Sequence, residues 1–392
     1  MSRLRLLVAI VVLGVAGLAH AQSDVILRGN YWRDRNTRVL QPEVELRKEL
    51  PSGTVVGAHY LLDAITSASA AAGGGGDQAF TELRNEVGFS LGQRVAGVLV
   101  SGSYTYSGES DYTAHSATIG ALAELFQKTT LLGVTLAYGN DSVDQRLSAT
   151  QFMHKGGLQV VRGIVTATQI ITPTLLVNAS YEIGVLGFGT ADNGYQANPY
   201  RVIPMGGGHE MEPFQRIRQA AAVSAHWVIP LRMRLMPYIA FRPSYRFYWD
   251  DWGIMSHTPE LRMYVPAGPV ELRVTGRYYT QREASFWSDG GGITPLYPNG
   301  IGLHCSTCLL AGSKSGLFLT ADPKLSPFSS TFFELAVLVK LNGVRRWKRL
   351  PGSAWLADGL IQLSYGHYFN GGYPHVAFGD AEVAGITMSW PF

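Results

Sequence analysis

Two cysteines, Cys305 and Cys308, stand two residues apart, with His304 before the first. A pair at this spacing can close a small disulfide, act as a redox couple, or offer thiolates to a metal. A c-type haem site needs histidine directly after the second cysteine, and here Leu309 follows. A zinc site wants about four ligands, and only His304 is near in sequence. A structural disulfide between Cys305 and Cys308 is the favoured reading, with a redox pair and metal-bound or unpaired thiols as the alternatives. The other residue types able to do chemistry are charges at even spacing. Glu43, Glu45, Glu82 and Glu86 come early in the chain, and Arg218, Arg232, Arg234, Arg242, Arg246, Arg262, Arg273 and Arg277 come later. Even spacing puts side chains on one face only if the backbone is extended.

Other motifs are weaker. Trp249-Asp250-Asp251-Trp252 and Gly206-Gly207-Gly208-His209-Glu210-Met211-Glu212 read as outer loops, more as solvated turns than as sites for Ca²⁺ or for the cations that bridge lipopolysaccharide. Gly187-Phe188-Gly189 lacks the third glycine and the helix of a dinucleotide site. No His-Glu-x-x-His, P-loop or Gly-x-Ser-x-Gly stretch occurs. No catalytic residue, metal ligand or cofactor is therefore assigned.

The elements that must position these charges are strands. Leu40, Pro42, Val44 and Leu46 alternate with Gln41, Glu43, Glu45 and Arg47, a period of two that helical spacing would scatter. The same division sets Leu83, Val87, Phe89 and Leu91 against Glu82, Arg84, Glu86 and Ser90. It sets Val270, Leu272, Val274 and Tyr278 against Glu271, Arg273, Thr275 and Arg277. The longest run opposes Met233, Leu235, Ile239, Phe241, Tyr245 and Phe247 to Arg232, Arg234, Arg242, Ser244 and Arg246. Sixteen strands are predicted, at 25–33, 38–49, 54–63, 79–91, 94–106, 112–125, 129–139, 157–170, 174–187, 214–228, 232–248, 253–265, 268–282, 330–342, 359–370 and 378–392. Tight turns such as Gly92-Gln93, Thr172-Pro173, Pro230-Leu231 and Pro266-Ala267 alternate with longer links at 64–78, 140–156, 188–213 and 283–329. The link 343–358 is longer than its class predicts. Short turns on one side and long loops on the other, with both termini on the short side, describe a transmembrane antiparallel up-and-down β-barrel of outer-membrane type.

Composition agrees. Charged residues are 16% of the chain, against about 25% in soluble domains. The formal charge of +3 is too small to point to nucleic acid, and two cysteines are too few for a disulfide scaffold. Arg3 and Arg5, the apolar stretch Leu6 to Leu18, and Ala19-His20-Ala21 form an export signal, so residues 1–21 are expected to be cleaved, leaving one barrel domain over 22–392. Only a closed ring pairs every strand N–H and C=O, which hydrocarbon requires. Tyr104, Tyr106, Tyr138, Trp227, Phe247, Trp249, Trp252 and Trp390 suit the aromatic girdles of such a barrel. The terminal Phe392, closing the alternation Ile386, Met388, Trp390, resembles the signal read by the outer-membrane barrel assembly machinery.

Tyr60 to Ser69, Arg277 to Trp287 and Ala321 to Phe328 resemble a bacterial family of outer-membrane-type β-barrels known as domain of unknown function 3570. The resemblance implies a barrel whose relatives accompany a flavin-attaching transferase and thioredoxin-like proteins. It transfers no catalytic residue.

In a ring of 16 the Glu-bearing strands and the Arg-bearing strands fall on opposite walls of an aqueous lumen. The expected function is a porin-like channel for small hydrophilic solutes in the outer membrane of a Gram-negative bacterium, with a transverse field across the pore. An ion-pair network, with Glu260, Arg262, Glu271 and Arg273 pairing locally, is the competing account of the same charges. A non-transporting scaffold with a periplasmic redox partner is the second function, and an outer-membrane enzyme the third. The expected surroundings are outer-membrane lipid and lipopolysaccharide.

Overall fold

A computed structural model describes residues 23–35, 37–67, 80–146, 152–187, 197–198, 212–287, 320, 322–341, 358–372 and 379–391. The export signal, Cys305, Cys308, the glycine run of 206–208 and Phe392 lie outside the described residues.

The strands are β1 (Ser23–Arg33), β2 (Thr37–Glu49), β3 (Val55–Ser67), β4 (Phe80–Val95), β5 (Val98–Gly108), β6 (Tyr112–Leu125), β7 (Thr130–Arg146) and β8 (Phe152–Thr172). There follow β9 (Leu175–Leu186), β10 (Arg216–Pro230), β11 (Tyr238–Asp250), β12 (Met255–Ala267), β13 (Val270–Gln281), β14 (Phe328–Lys340), β15 (Leu360–Gly372) and β16 (Ala381–Pro391). Each pairs antiparallel with its neighbours in sequence, and β1 pairs with β16, from Asp24 opposite Pro391 to Arg33 opposite Glu382. The sheet is thus a closed 16-stranded barrel with no free edge, the architecture that the alternation predicts.

The two faces separate as the period of two requires. Leu83, Phe89, Leu91, Ile119, Leu136, Leu261, Leu335 and Leu363 are exposed on the outer face, between 49% and 63% accessible. A second sheet would have covered them in a sandwich. Strand β6 alternates poorly because its outer face carries small residues, Ala117, Ala121 and Ala123, beside Ile119, while its inner face holds Ser116, Thr118 and Gly120.

Seven links lie at the end that carries both termini, here called the lower end, and all but 341–359 are short. Several expected boundaries move, β3 for one running on to Ser67, and three shifts stand out. Gly92 and Gln93 continue β4, and the chain turns at Ala96-Gly97, where φ is +48° and +86°. Positive φ at both central residues fits a tight hairpin whose twist matches its strands. At the upper end the expected link 140–156 contracts, since β7 runs to Arg146 and β8 starts at Phe152. The third shift matters more for function. β10 ends at Pro230 and β11 begins only at Tyr238, with Leu231 N–H bonded to the Pro237 carbonyl at 2.9 Å. Arg232 and Arg234 therefore sit exposed in the lower link 231–237, not on the inner wall. Their alternation with Met233 and Leu235 mimics a strand, but the proline at each border interrupts the ladder.

At the upper end, segments of three links pack as a small apolar core. Ala197, Trp252, Ile254, Ala284, Phe286 and Leu325 are buried with Leu158 of β8 and Leu186 of β9, and Val160 and Tyr248 lean on them. Trp252 meets Phe286 edge-on at 5.2 Å and donates its indole N–H to the Gln215 carbonyl at 2.9 Å. Trp252 is 2% accessible, so it belongs to this core and not to an aromatic girdle. Tyr104, Tyr138 and Trp227 do stand exposed on the outer face, whereas Trp390 is buried against Gly359. Leu158, Val160, Leu186 and Tyr248 share the inner face, so this core sits across the β8, β9 and β11 side of the upper mouth.

Candidate functional site in the barrel lumen

Cross-strand register fixes which charges face inward. Arg28 lies opposite Glu43, Asp63 opposite Arg84, Arg162 opposite Gly184, Arg242 opposite Arg262, and Tyr264 opposite Arg273. Glu43, Glu45, Glu82 and Glu86 of β2 and β4 are on this inner face, and Arg218, Arg242, Arg246, Arg262, Arg273 and Arg277 of β10 to β13 are on it across the ring.

The two walls are compensated differently. On the acidic wall Arg28 bridges Glu43 at 2.7 Å and Glu45 at 2.8 Å, Arg47 holds Glu45 at 2.7 Å, and His59 lies 3.3 Å from Glu86. On the basic wall Glu260 pairs with Arg262 at 2.7 Å and Glu271 with Arg273 at 2.6 Å, the local pairs expected from sequence. Among the described residues Arg218, Arg242, Arg246 and Arg277 have no carboxylate within ion-pair distance. Glu260 is the register neighbour of Arg277, yet its carboxylate turns to Arg262. The inner surface therefore carries both an ion-pair network and a set of uncompensated arginines on one side.

Glu82 stands apart from the other acids. At the upper rim its carboxylate, with those of Glu109 and Asp111, forms a group whose ligand atoms lie within 4.8 Å of one another, and Glu82 accepts the Ser110 N–H at 3.0 Å. Glu109, in the link between β5 and β6, has its carboxyl pKa raised above the usual range. Burial is the chief cause; Glu82, Asp111 and Asp63 add to the rise, and Arg84 opposes it. A carboxyl whose folded pKa is raised binds its proton more tightly in the folded state, so its ionisation destabilises the fold as pH climbs through that pKa. Glu109→Gln is expected to raise the thermal unfolding midpoint at neutral pH and to leave it unchanged near pH 4, where the native carboxyl is largely protonated. Equal shifts at both values would remove the electrostatic cause.

At the upper mouth, the inner wall from β11 round to β1, with Asp34 and Gly379 of the adjoining upper links, bounds an open cavity of about 480 Å³. Arg246 and Arg277 line it together with Trp32, Tyr279, Phe328 and Tyr368. Arg277 donates Nη2–H to the Tyr368 hydroxyl at 2.8 Å and lies 5.1 Å from the Phe332 ring centre. Phe332 stacks on Tyr368 at 4.2 Å, and Tyr368 meets Trp32 at 5.3 Å. Gly366 makes room for this stack, since a Cβ there would come within 2.6 Å of the Phe332 ring. Gln281, at the top of β13, donates to the carbonyls of Ser326 at 2.6 Å and Lys324 at 3.1 Å. Two stretches that carry the family resemblance, 277–287 and 321–328, thus meet here: Arg277, Tyr279 and Phe328 on the cavity, and Phe286 and Leu325 in the core beside it. Sequence reading singled out Arg246 and Arg277 but missed Trp32 and Tyr368. Their inward parity was a usable signal; their meeting across the β1 to β16 closure was not.

Two solved structures with TM-scores of 0.50 or more support the fold. The chain is similar to a bacterial polysaccharide outer membrane secretin at 6% identity, covering 96% of this chain and 100% of that one, with a TM-score of 0.52. It is similar to CdiB from Acinetobacter baumannii at 9% identity, covering 96% of this chain and 61% of that one, with a TM-score of 0.50. The outer membrane protein opdK from Pseudomonas aeruginosa aligns over 95% of this chain and 99% of its own at 11% identity, with a TM-score of 0.43. No curated protein matches the sequence. Residues 63–349 match the family described as protein of unknown function (DUF3570), and the chain belongs to that family.

Proposed function

We propose that the protein spans the bacterial outer membrane, upper end outward, and passes small hydrophilic solutes, with the inward arginines favouring anions. The observation that carries this reading is the set of uncompensated arginines, Arg242, Arg246 and Arg277, on the inner face of a closed ring. Glu43 and Glu45 across the ring are paired with arginines, whereas among the described residues these three arginines have no carboxylate partner and concentrate positive charge on one wall. Fixed charge of one sign in a water-filled constriction raises the local concentration of counter-ions and selects among permeating species.

Bilayer recording of the refolded, signal-free protein tests this. In a salt gradient the reversal potential is expected on the anion-selective side. The triple variant Arg242→Gln, Arg246→Gln, Arg277→Gln is expected to lower the anion-to-cation permeability ratio by roughly twofold or more. Unchanged selectivity in a conducting variant removes the arginines from the account. One observation favours a second reading, a non-conducting scaffold for an envelope redox partner: the loop core seated across one side of the upper mouth. A folded barrel that never conducts would select it.

A further inference from the structure

We propose that the cavity bounded by Arg246, Arg277, Trp32, Tyr279, Phe328 and Tyr368 is a binding site for a small aromatic carboxylate. The proposal deepens the channel reading, which supplies only the ligand's route to the site.

Charge gives the first half of the argument. Two guanidiniums reach one cavity of about 480 Å³, and among the described residues neither has a carboxylate partner. Arg277 spends one N–H on a neutral hydroxyl, that of Tyr368, and stacks on Phe332. Arg246 stacks on Tyr248 at 5.5 Å. These contacts hold the two cations in place without neutralising them. Asp34, the one carboxylate on the lining among the described residues, accepts the Thr37 N–H at 2.6 Å. An arginine fork matches a carboxylate in two parallel hydrogen bonds, which a halide cannot reproduce.

The rest of the lining gives the second half. Trp32, Tyr368 and Phe332 form a connected aromatic stack beside Arg277, and Tyr279 lies against Phe328 at 5.2 Å. Tyr368 is held between Trp32 and Phe332, and Tyr279 is braced by Phe328, so the part of the ligand beyond its anionic end meets π-rich surface. A flat ring is the shape that gains from offset or edge-on contact there. The volume lies within the range of small-molecule sites and takes a single ring with room for substituents.

Titration calorimetry on the detergent-solubilised barrel tests the site with benzoate as probe. Saturable binding near one per chain is expected, with acetate and the uncharged benzyl alcohol each weaker by about tenfold or more. Arg246→Gln and Arg277→Gln, checked for folding by the heat-dependent gel mobility of barrels, are expected to weaken benzoate by about tenfold each. Tyr368→Leu is expected to weaken benzoate more than acetate, because it removes a ring and not a charge. Acetate binding as tightly as benzoate would reduce the cavity to a general anion site and overturn the aromatic half. Benzoate binding unchanged in folded Arg277→Gln, or absent from the folded wild-type protein, would overturn the proposal. Because binding is read without flow, a barrel that conducts but ignores benzoate refutes the site alone, and one that binds benzoate but never conducts refutes the channel alone.

Discussion

Asp250→Ala is expected to cost the barrel about 3–5 kcal/mol and to release the upper mouth, because it leaves a buried guanidinium without its anion. The Asp250 side chain is wholly inaccessible and that of Arg216 is 8% accessible. Oδ2 of Asp250 accepts from Arg216 Nε at 2.9 Å, from Arg216 Nη2 at 2.5 Å and from the Tyr248 hydroxyl at 2.6 Å, while Oδ1 accepts the Ile254 N–H at 3.0 Å. One carboxylate therefore ties β10 to β11 and both to the turn that carries Trp252. Arg216 also lies over the Trp252 ring, 4.4 Å from its centre, and that contact cannot replace the lost charge. Urea unfolding in detergent micelles and proteolysis of the upper loops read the effect. Asp250→Asn keeps the shape and part of the acceptor capacity, so a smaller loss is expected. Pairing Asp250→Ala with Arg216→Met should recover much of the stability, since no charge is then stranded. An Asp250→Ala protein within about 1 kcal/mol of wild type, with unchanged proteolysis, would show that the cluster does not hold the mouth.

That cluster also shows where sequence reading stops. Trp249-Asp250-Asp251-Trp252 reads as a solvated acidic turn because its composition is that of a turn, and Asp251 does behave so, accepting the Ile217 N–H while exposed. Asp250 does not, because its partner Arg216 lies 34 residues away across a link that nothing in the local pattern describes. The strands were legible because period two is a local property: each residue's face follows from its neighbours. Even β8, where Arg162 falls among apolar residues, forms as expected, and Arg162 finds Glu182 on β9 at 3.3 Å. The alternation erred where a link imitated it, at Arg232 and Arg234. The opposition of Glu and Arg strands followed from counting strands round the ring. The compensation of Glu43 and Glu45 by Arg28 did not, though Arg28 is the inward residue facing Glu43 on the adjacent strand. The aromatic cavity was illegible for a deeper reason: Trp32 and Tyr368 come from the two ends of the chain and meet only because β1 closes on β16.

Leu136→Arg and Thr135→Arg, neighbours on β7, are expected to differ sharply although they add the same side chain. Leu136 is 52% accessible on the outer face, and Thr135 faces inward opposite Gly120. With β7 starting at Thr130, a rise of ~3.3 Å per residue and a tilt of ~40° put Leu136 roughly 15 Å above the lower end, near the middle of an apolar band ~25 Å tall. An arginine there faces hydrocarbon and costs ~2–4 kcal/mol. At position 135 the same guanidinium enters water, beside small residues such as Gly120 and Gly133 that leave it space, and less than ~1 kcal/mol is expected. The measurement is reversible urea unfolding of both variants in phospholipid vesicles, with assembly yield in cells as a second readout. Equal costs would mean that the outer face does not meet lipid, and a larger cost at 135 would reverse the inside and outside of the barrel. A large difference in the expected direction places water on the arginine face and lipid on the leucine face, which both the selectivity of Arg242, Arg246 and Arg277 and the access of an anion to the aromatic cavity require.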